Sequence, residues 1–158
     1  MEPERRLLIL QYIQPGLLGL MDGTVSTLAP LFAAAYATGS PRIAFLVGLS
    51  AAIGASISMG FAEALSDTGV HTERGKPLPR GFITGAMTFI GGILHALPFL
   101  LPQMQSALVF AYGIVGIELM AISYVRYHYF GMNFFLSLVQ VVIGGALVVV
   151  AGILIGSA

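Results

Sequence analysis

Cysteine is absent from this 158-residue chain, which rules out disulfides, thiolate metal sites and cysteine nucleophiles together. Charge is almost as scarce: 9% of residues are charged, and seven basic side chains balance seven acidic ones. A net charge of zero gives the chain no electrostatic case for binding nucleic acid. Long polar stretches are missing, so no soluble domain finds room. No His-Glu-x-x-His, Walker loop or Gly-x-Ser-x-Gly occurs, and enzymatic chemistry is not expected. A cleavable signal peptide is not expected either. In MEPERRLLILQYIQPG, Gln11, Gln14 and Pro15 stand where an apolar core and small-residue cleavage site would be.

What fills the chain is hydrocarbon. Hydrophobic residues make up 57% of it, with a mean hydropathy of +0.92, a composition foreign to water-soluble domains. Apolar runs at 16–38, 43–65, 82–101, 107–125 and 134–155 are each long enough to cross ~30 Å of hydrocarbon as a helix. Between them, GSPR, DTGVHTERGKPLPR, LPQMQ and RYHYFGMN carry the Gly, Pro and charge that stop helices. The expected fold is all-α and polytopic: a segment at 1–15, then a five-helix transmembrane domain over 16–158. Arg5, Arg6, Arg74, Lys76, Arg80 and Arg126 fall on one side of it and only Arg42 on the other. By the positive-inside rule the N-terminus is cytosolic and the C-terminus outside. Tyr12, Tyr124, Tyr127 and Tyr129 then form the cytosolic aromatic belt.

Against this background three acids stand out: Asp22 in LLGLMDGTVSTLAP, Glu63 in SISMGFAEALSD and Glu118 in IVGIELMAIS. A carboxylate in hydrocarbon costs at least ~2.5–3.5 kcal/mol, and by default marks an ion or proton path. Counting ~1.5 Å per residue from the expected span ends puts Asp22 ~10 Å, Glu63 ~5 Å and Glu118 ~12 Å inside the cytosolic boundary. The three acids are therefore expected to meet on one level. Ser56, Met59, Glu63 and Asp67 form a single helical stripe. Gly19 and Gly23 make a Gly-x-x-x-Gly pair for close packing against another helix, which would bring Asp22, flanked by Gly19 and Ser26, against a neighbour, its own symmetry mate being one candidate. Carboxylates with a thioether suit a borderline divalent ion such as ferrous iron, manganese, cobalt or zinc. Clustered carboxylates cannot all be ionised, so an arriving cation displaces protons. Met21, Met87 and Met120 read as packing. His71 and His128 read as loop or interface residues, and His95 as a structural hydrogen-bonding residue away from the acids. Gly152-x-x-x-Gly156 is a further packing signal.

At these residues the chain resembles a known family. MDGTVSTLAP at 21–30 and SISMGFAEALSD at 56–67 resemble the first- and second-helix signatures of the vacuolar iron transporter family. LQYIQPGLLGLMDGTVSTLAPLFAAA, SMGFAEALSD and GILIGS are similar to the membrane part of its bacterial branch, the membrane-bound ferritin (erythrin–vacuolar iron transport) iron exporters. The resemblance covers essentially the whole chain. It implies a homodimer of five-helix subunits in the bacterial inner membrane, with a metal path at the dimer interface and proton-coupled removal of Fe(II) from the cytosol. It assigns Asp22, Met59 and Glu63 to that path. Glu118, Ser26, Ser56 and Asp67 remain candidates for supporting or proton-carrying roles. No permanently bound cofactor is implied, since Fe(II) or another divalent cation is cargo. The expected partners are lipid, protons, a second copy, and a ferritin-like domain that this chain does not carry. The metal-binding helices that plant and fungal members insert between spans two and three are replaced here by a connection of about 15 residues, where Asp67, His71 and Glu73 are weak-ligand candidates.

The leading expectation is a proton-coupled exporter of Fe(II), or of Mn(II). One alternative is a non-transporting membrane anchor or oligomerisation module for a soluble iron-binding partner. A passive channel is disfavoured, because polar residues are sparse in the outer half.

Overall fold

Proline and glycine set the helix boundaries in a computed structural model that describes residues 3–66 and 68–158. A short helix α1, Pro3–Leu8, passes through a π-helical turn, Ile9–Ile13, into α2, Gln14–Thr38. Pro15 follows directly on the π-helical turn, where the regular ladder of the continuous run is already interrupted and its missing N–H is accommodated. Gly39 ends the helix in a left-handed conformation, φ 60°, donating its N–H to the Ala35 carbonyl. Helices α3, Pro41–Ser66, and α4, Pro77–Leu94, begin on proline. A 3-10 turn, Leu97–Leu100, extends α4, and α5, Met104–Phe130, stops at Gly131, φ 66°. Asn133 caps α6, Phe134–Gly156, its side-chain oxygen accepting the Leu136 N–H at 3.0 Å. Pro30 does not interrupt α2.

Among the described residues there is no strand. Four helical runs are long and apolar enough to cross a membrane: Pro3–Thr38, Pro41–Ser66, Met104–Phe130 and Phe134–Gly156. The expected third span, 82–101, folds as α4 plus the 3-10 turn and falls short of that standard. Arg80 lies in its first turn, and Thr84 and Thr88 are buried within it.

Helix α2 is the hub, packed against α3, α4 and α6 and touching α5. Gly19 and Gly23 lie directly on the carbonyls of Thr84 and Thr88, so α2 and α4 run parallel with their backbones in contact. The neighbour seated by this glycine pair is thus α4 of the same chain. At Gly152 and Gly156, α6 meets the carbonyls of Ala29 and Ala33, and it too runs parallel to α2. Helix α3 runs the other way: Gly60 faces Gly81 and Gly85, and Ala52 faces Gly92. So does α5, whose Tyr112 stacks on Phe32 at a 4.9 Å ring separation while Glu118 lies six residues on, level with Thr27. Helices α2, α4 and α6 therefore point one way, and α3 and α5 the other. Small residues set the spacing in place of bulky side chains, as expected where lipid supplies no hydrophobic drive between helices. A cluster around Leu28, Leu31, Phe32, Phe99 and Ile122 fills the end of the bundle above this seam.

Candidate functional site

With its regular rise, α4 serves as a ruler for the three acids, and they do not share a level. Glu63 sits beside Arg80, in the first turn of α4. Asp22 lies between Gly19 and Gly23, which abut Thr84 and Thr88. Glu118 bonds His95, just past the end of α4. From Arg80 to His95 is ~22 Å along the helix axis. The expectation of a single acidic layer is corrected accordingly. It failed because depth was counted from assumed helix ends. Helix α5 runs on to Phe130, which puts Glu118 ~18 Å from that end.

Each acid has a different environment. Asp22 is half-buried, with the Ser26 hydroxyl as its hydrogen-bonding neighbour. It belongs to the stripe Leu18, Asp22, Ser26, whose outer members are exposed, beside the broad buried face formed by Pro15, Gly19, Gly23 and Thr27. Asp22 is also the only charged residue on α2.

Glu63 is buried and held by arginine. Its Oε1 accepts a hydrogen bond from Arg74 Nη2 at 2.6 Å and lies 2.9 Å from Arg80 Nε, an ion-pair contact without an aligned N–H. Arg80, only 1% exposed, also reaches the Glu63 carbonyl and the Ser66 hydroxyl. In the sequence Arg74 and Arg80 serve only as loop charges that set orientation. Folded, they neutralise Glu63, which by sequence alone is expected to face a cation. The signal for this was present, since an arginine one turn inside an apolar helix needs a partner. Arg80→Met should destabilise the protein by ~3–5 kcal/mol, because it strips a guanidinium from a buried carboxylate. Thermal unfolding in detergent measures the loss. Adding Glu63→Gln to that variant should recover most of it, and no recovery would mean that Arg80 acts through packing alone.

Met59 is half-buried, one turn before Glu63 on α3. Ser56 is half-buried and donates to the Ile53 carbonyl at 3.0 Å. It lines an apolar groove of about 520 Å³ between α3 and α4, floored by Gly60, Gly81 and Gly85 and walled by Phe61 and Phe82. Asp67 lies outside the described residues. Among the described residues, no three of His, Asp and Glu gather closely enough to hold a metal ion.

Glu118 and His95 make the most deeply buried polar contact of the three. His95 Nδ1 lies 3.0 Å from Glu118 Oε2, and His95 Nε2 lies 2.8 Å from Thr27 Oγ1. His95 thus has a hydrogen-bonding neighbour at each ring nitrogen, and it is bound to an acid rather than remote from the acids.

A model of the VIT family matches residues 64–157, well over half of the chain. The match begins just past Glu63, so the first signature precedes it and the second, 56–67, overlaps it only at 64–67, with Asp22, Met59 and Glu63 outside it. No curated protein matches the chain, and no solved structure does. With its apolar helices and this match, the chain is a multi-pass membrane protein that belongs to the VIT family, the vacuolar iron transporters, whose members move metal ions across membranes.

Proposed function

We propose that the protein is a proton-coupled exporter of divalent metal, Fe(II) or Mn(II), working as a homodimer in the bacterial inner membrane. The observation that carries this reading is the placement of Asp22. It is a lone carboxylate on a membrane helix, turned to the outer stripe of the subunit beside the exposed Ser26. Left against lipid, it would cost several kcal/mol (~2.5–3.5 or more). A second copy presenting the same stripe removes that cost and brings two carboxylates to one axis, where a cation can hold them together. Met59 and Glu63 complete the path. For Glu63 to serve, the cation must compete with Arg74 and Arg80, so entry is coupled to release of that ion pair.

The alternating helix directions fit five crossings, with α4 and its 3-10 extension as the third and the N-terminus in the cytosol. The 18 residues of α4 span ~27 Å, close to the hydrocarbon thickness.

The test is metal flux in proteoliposomes, with Fe(II), Mn(II), Co(II) and Zn(II) compared under an imposed pH gradient. Fe(II) flux that rises with an opposing proton gradient is expected. Flux indifferent to pH would remove the proton coupling. Absence of both flux and divalent binding by calorimetry would leave the alternative, a membrane anchor for a soluble partner.

A further inference from the structure

The contact between His95 and Glu118 is not explained by packing. Both side chains are buried, at 0% and 4% exposure, and each is a polar group taken out of water. The hydrogen-bond directions around them are constrained. Thr27 has one hydroxyl hydrogen and donates it to the Gly23 carbonyl at 2.8 Å. The 2.8 Å contact between Thr27 Oγ1 and His95 Nε2 must then be donated by Nε2–H. With Nε2 protonated, the 3.0 Å contact from Nδ1 to Glu118 Oε2 needs a further hydrogen between them. It makes no difference to the net charge whether that hydrogen sits on the imidazole or on the carboxyl. The pair then holds two protons and is neutral overall.

A second arrangement satisfies the same atoms with one proton fewer. If Nε2 loses its hydrogen, the Thr27 hydroxyl rotates away from Gly23 and donates to Nε2, while Nδ1–H stays on Glu118. Imidazolium and carboxylate become imidazole and carboxylate plus a released proton. The Gly23 carbonyl keeps its helical N–H partner from Thr27. The cost is one net negative charge in low dielectric, which only a nearby cation would offset.

No other charge competes for this role. Helix α6 has no charged residue, α3 carries Arg42 and Glu63 near its ends, and α4 carries only Arg80 at the far end. On α5, Arg126 is turned to Gln140 at 2.9 Å, His128 is exposed, and the Tyr36–Tyr112 hydroxyl pair lies ~9 Å further along. On α2 the one charged group is Asp22, five residues from Thr27 and adjacent to the Gly23 carbonyl that its hydroxyl occupies.

We infer that His95 and Glu118, switched by the Thr27 hydroxyl, form a proton-binding site that releases a proton when a cation arrives at Asp22 and regains it when the cation leaves. This rests on the reading of Asp22 as a cation site. It places the exchanged proton on a separate group, the His95–Glu118 pair, which meets α2 at Thr27, five residues beyond Asp22. A second buried feature agrees. Among the described residues Glu118 Oε1 finds no hydrogen-bond partner, which a charged carboxylate tolerates poorly and a carboxyl that shares a proton tolerates better.

The experiment uses the full chain in detergent, with Mn(II) as the probe and a pH indicator in weak buffer. Mn(II) should release protons from the wild type, and Glu118→Gln should release about one fewer per chain. In that variant the glutamine amide can donate to Nδ1, so the fold is kept while the site is locked. Thr27→Val should lose the same proton by removing the switch. A His71→Asn, His128→Asn background leaves His95 as the only histidine. Its ring nitrogen signals should then show the Nε2 hydrogen lost when a diamagnetic divalent cation, Zn(II), is added. Proton release in Glu118→Gln equal to wild type overturns the inference, as does an Nε2 hydrogen retained throughout. If Glu118→Gln does not fold, Thr27→Val and the wild-type ring signals decide by the same criteria. Failure of the underlying reading looks different, since the wild type would then neither carry Mn(II) nor release protons to it. If Asp22→Asn abolishes release and Glu118→Gln does not, the cation site stands and this inference alone falls.

Discussion

Asp22→Asn should abolish metal flux in proteoliposomes while leaving a folded, monodisperse protein. The carboxylate is half-buried on the stripe shared with Leu18 and Ser26, outside the seam that binds α2 to α4. An amide of the same shape can keep the Ser26 contact, and it removes a charge that costs the fold energy in lipid. Stability should therefore be unchanged or slightly higher. Function should not survive, because an uncharged oxygen cannot hold a divalent ion against its hydration. Flux should fall by about two orders of magnitude or more, the equivalent of losing ~3 kcal/mol or more of binding. Flux retained near the wild-type level would show that the cation passes elsewhere and would remove the carboxylate from the path.

Gly23→Ala should have the opposite signature, with stability lost. A Cβ at Gly23 would land on the Thr88 carbonyl oxygen, 2.7 Å from the carbonyl carbon and 2.9 Å from Thr88 Cα. These are backbone atoms of a packed helix, so they cannot swing aside as a flexible side chain would. Overpacking of this kind costs ~1–3 kcal/mol where neighbours can relax, and at this seam the upper end or beyond is expected. Gly113→Ala supplies the control. Its Cβ would meet nothing within 4 Å, and an alanine in a helix gains up to ~1 kcal/mol over glycine. Unfolding in a denaturing detergent series should separate the two variants. Equal stability would mean that α2 and α4 are less closely joined than the structure has them.

Much of the architecture could be read from the residues. Helix ends follow Gly39, Pro41, Pro77, Gly131 and Asn133, because these residues act locally through fixed φ, left-handed backbone or capping oxygen. Four of the five expected spans correspond to helices long and apolar enough for a membrane, and α4 is the weaker one because of Arg80, Thr84 and Thr88. The relation among the acids was not legible. Whether Glu63 faces a cation or an arginine depends on how the 68–76 connection folds back, and Arg74 approaches from there across eleven residues. The His95–Glu118 pair joins two helices whose relative height a single sequence does not encode. Thr27 gave no signal at all, since a threonine in an apolar helix is ordinary until its partner is known. Local chemistry is written in the neighbours along the chain, whereas depth and facing are decided by packing.

The contact of Gly19 and Gly23 with the carbonyls of α4 has a thermal consequence. A soluble core weakens on cooling because its cohesion derives from water expelled from apolar surface. Backbones touching within hydrocarbon expel no water, and their attraction is dispersion between atoms already in contact. That joint should hold as firmly near freezing as at growth temperature, leaving the water-exposed connections and any subunit contacts to set the cold limit of the molecule.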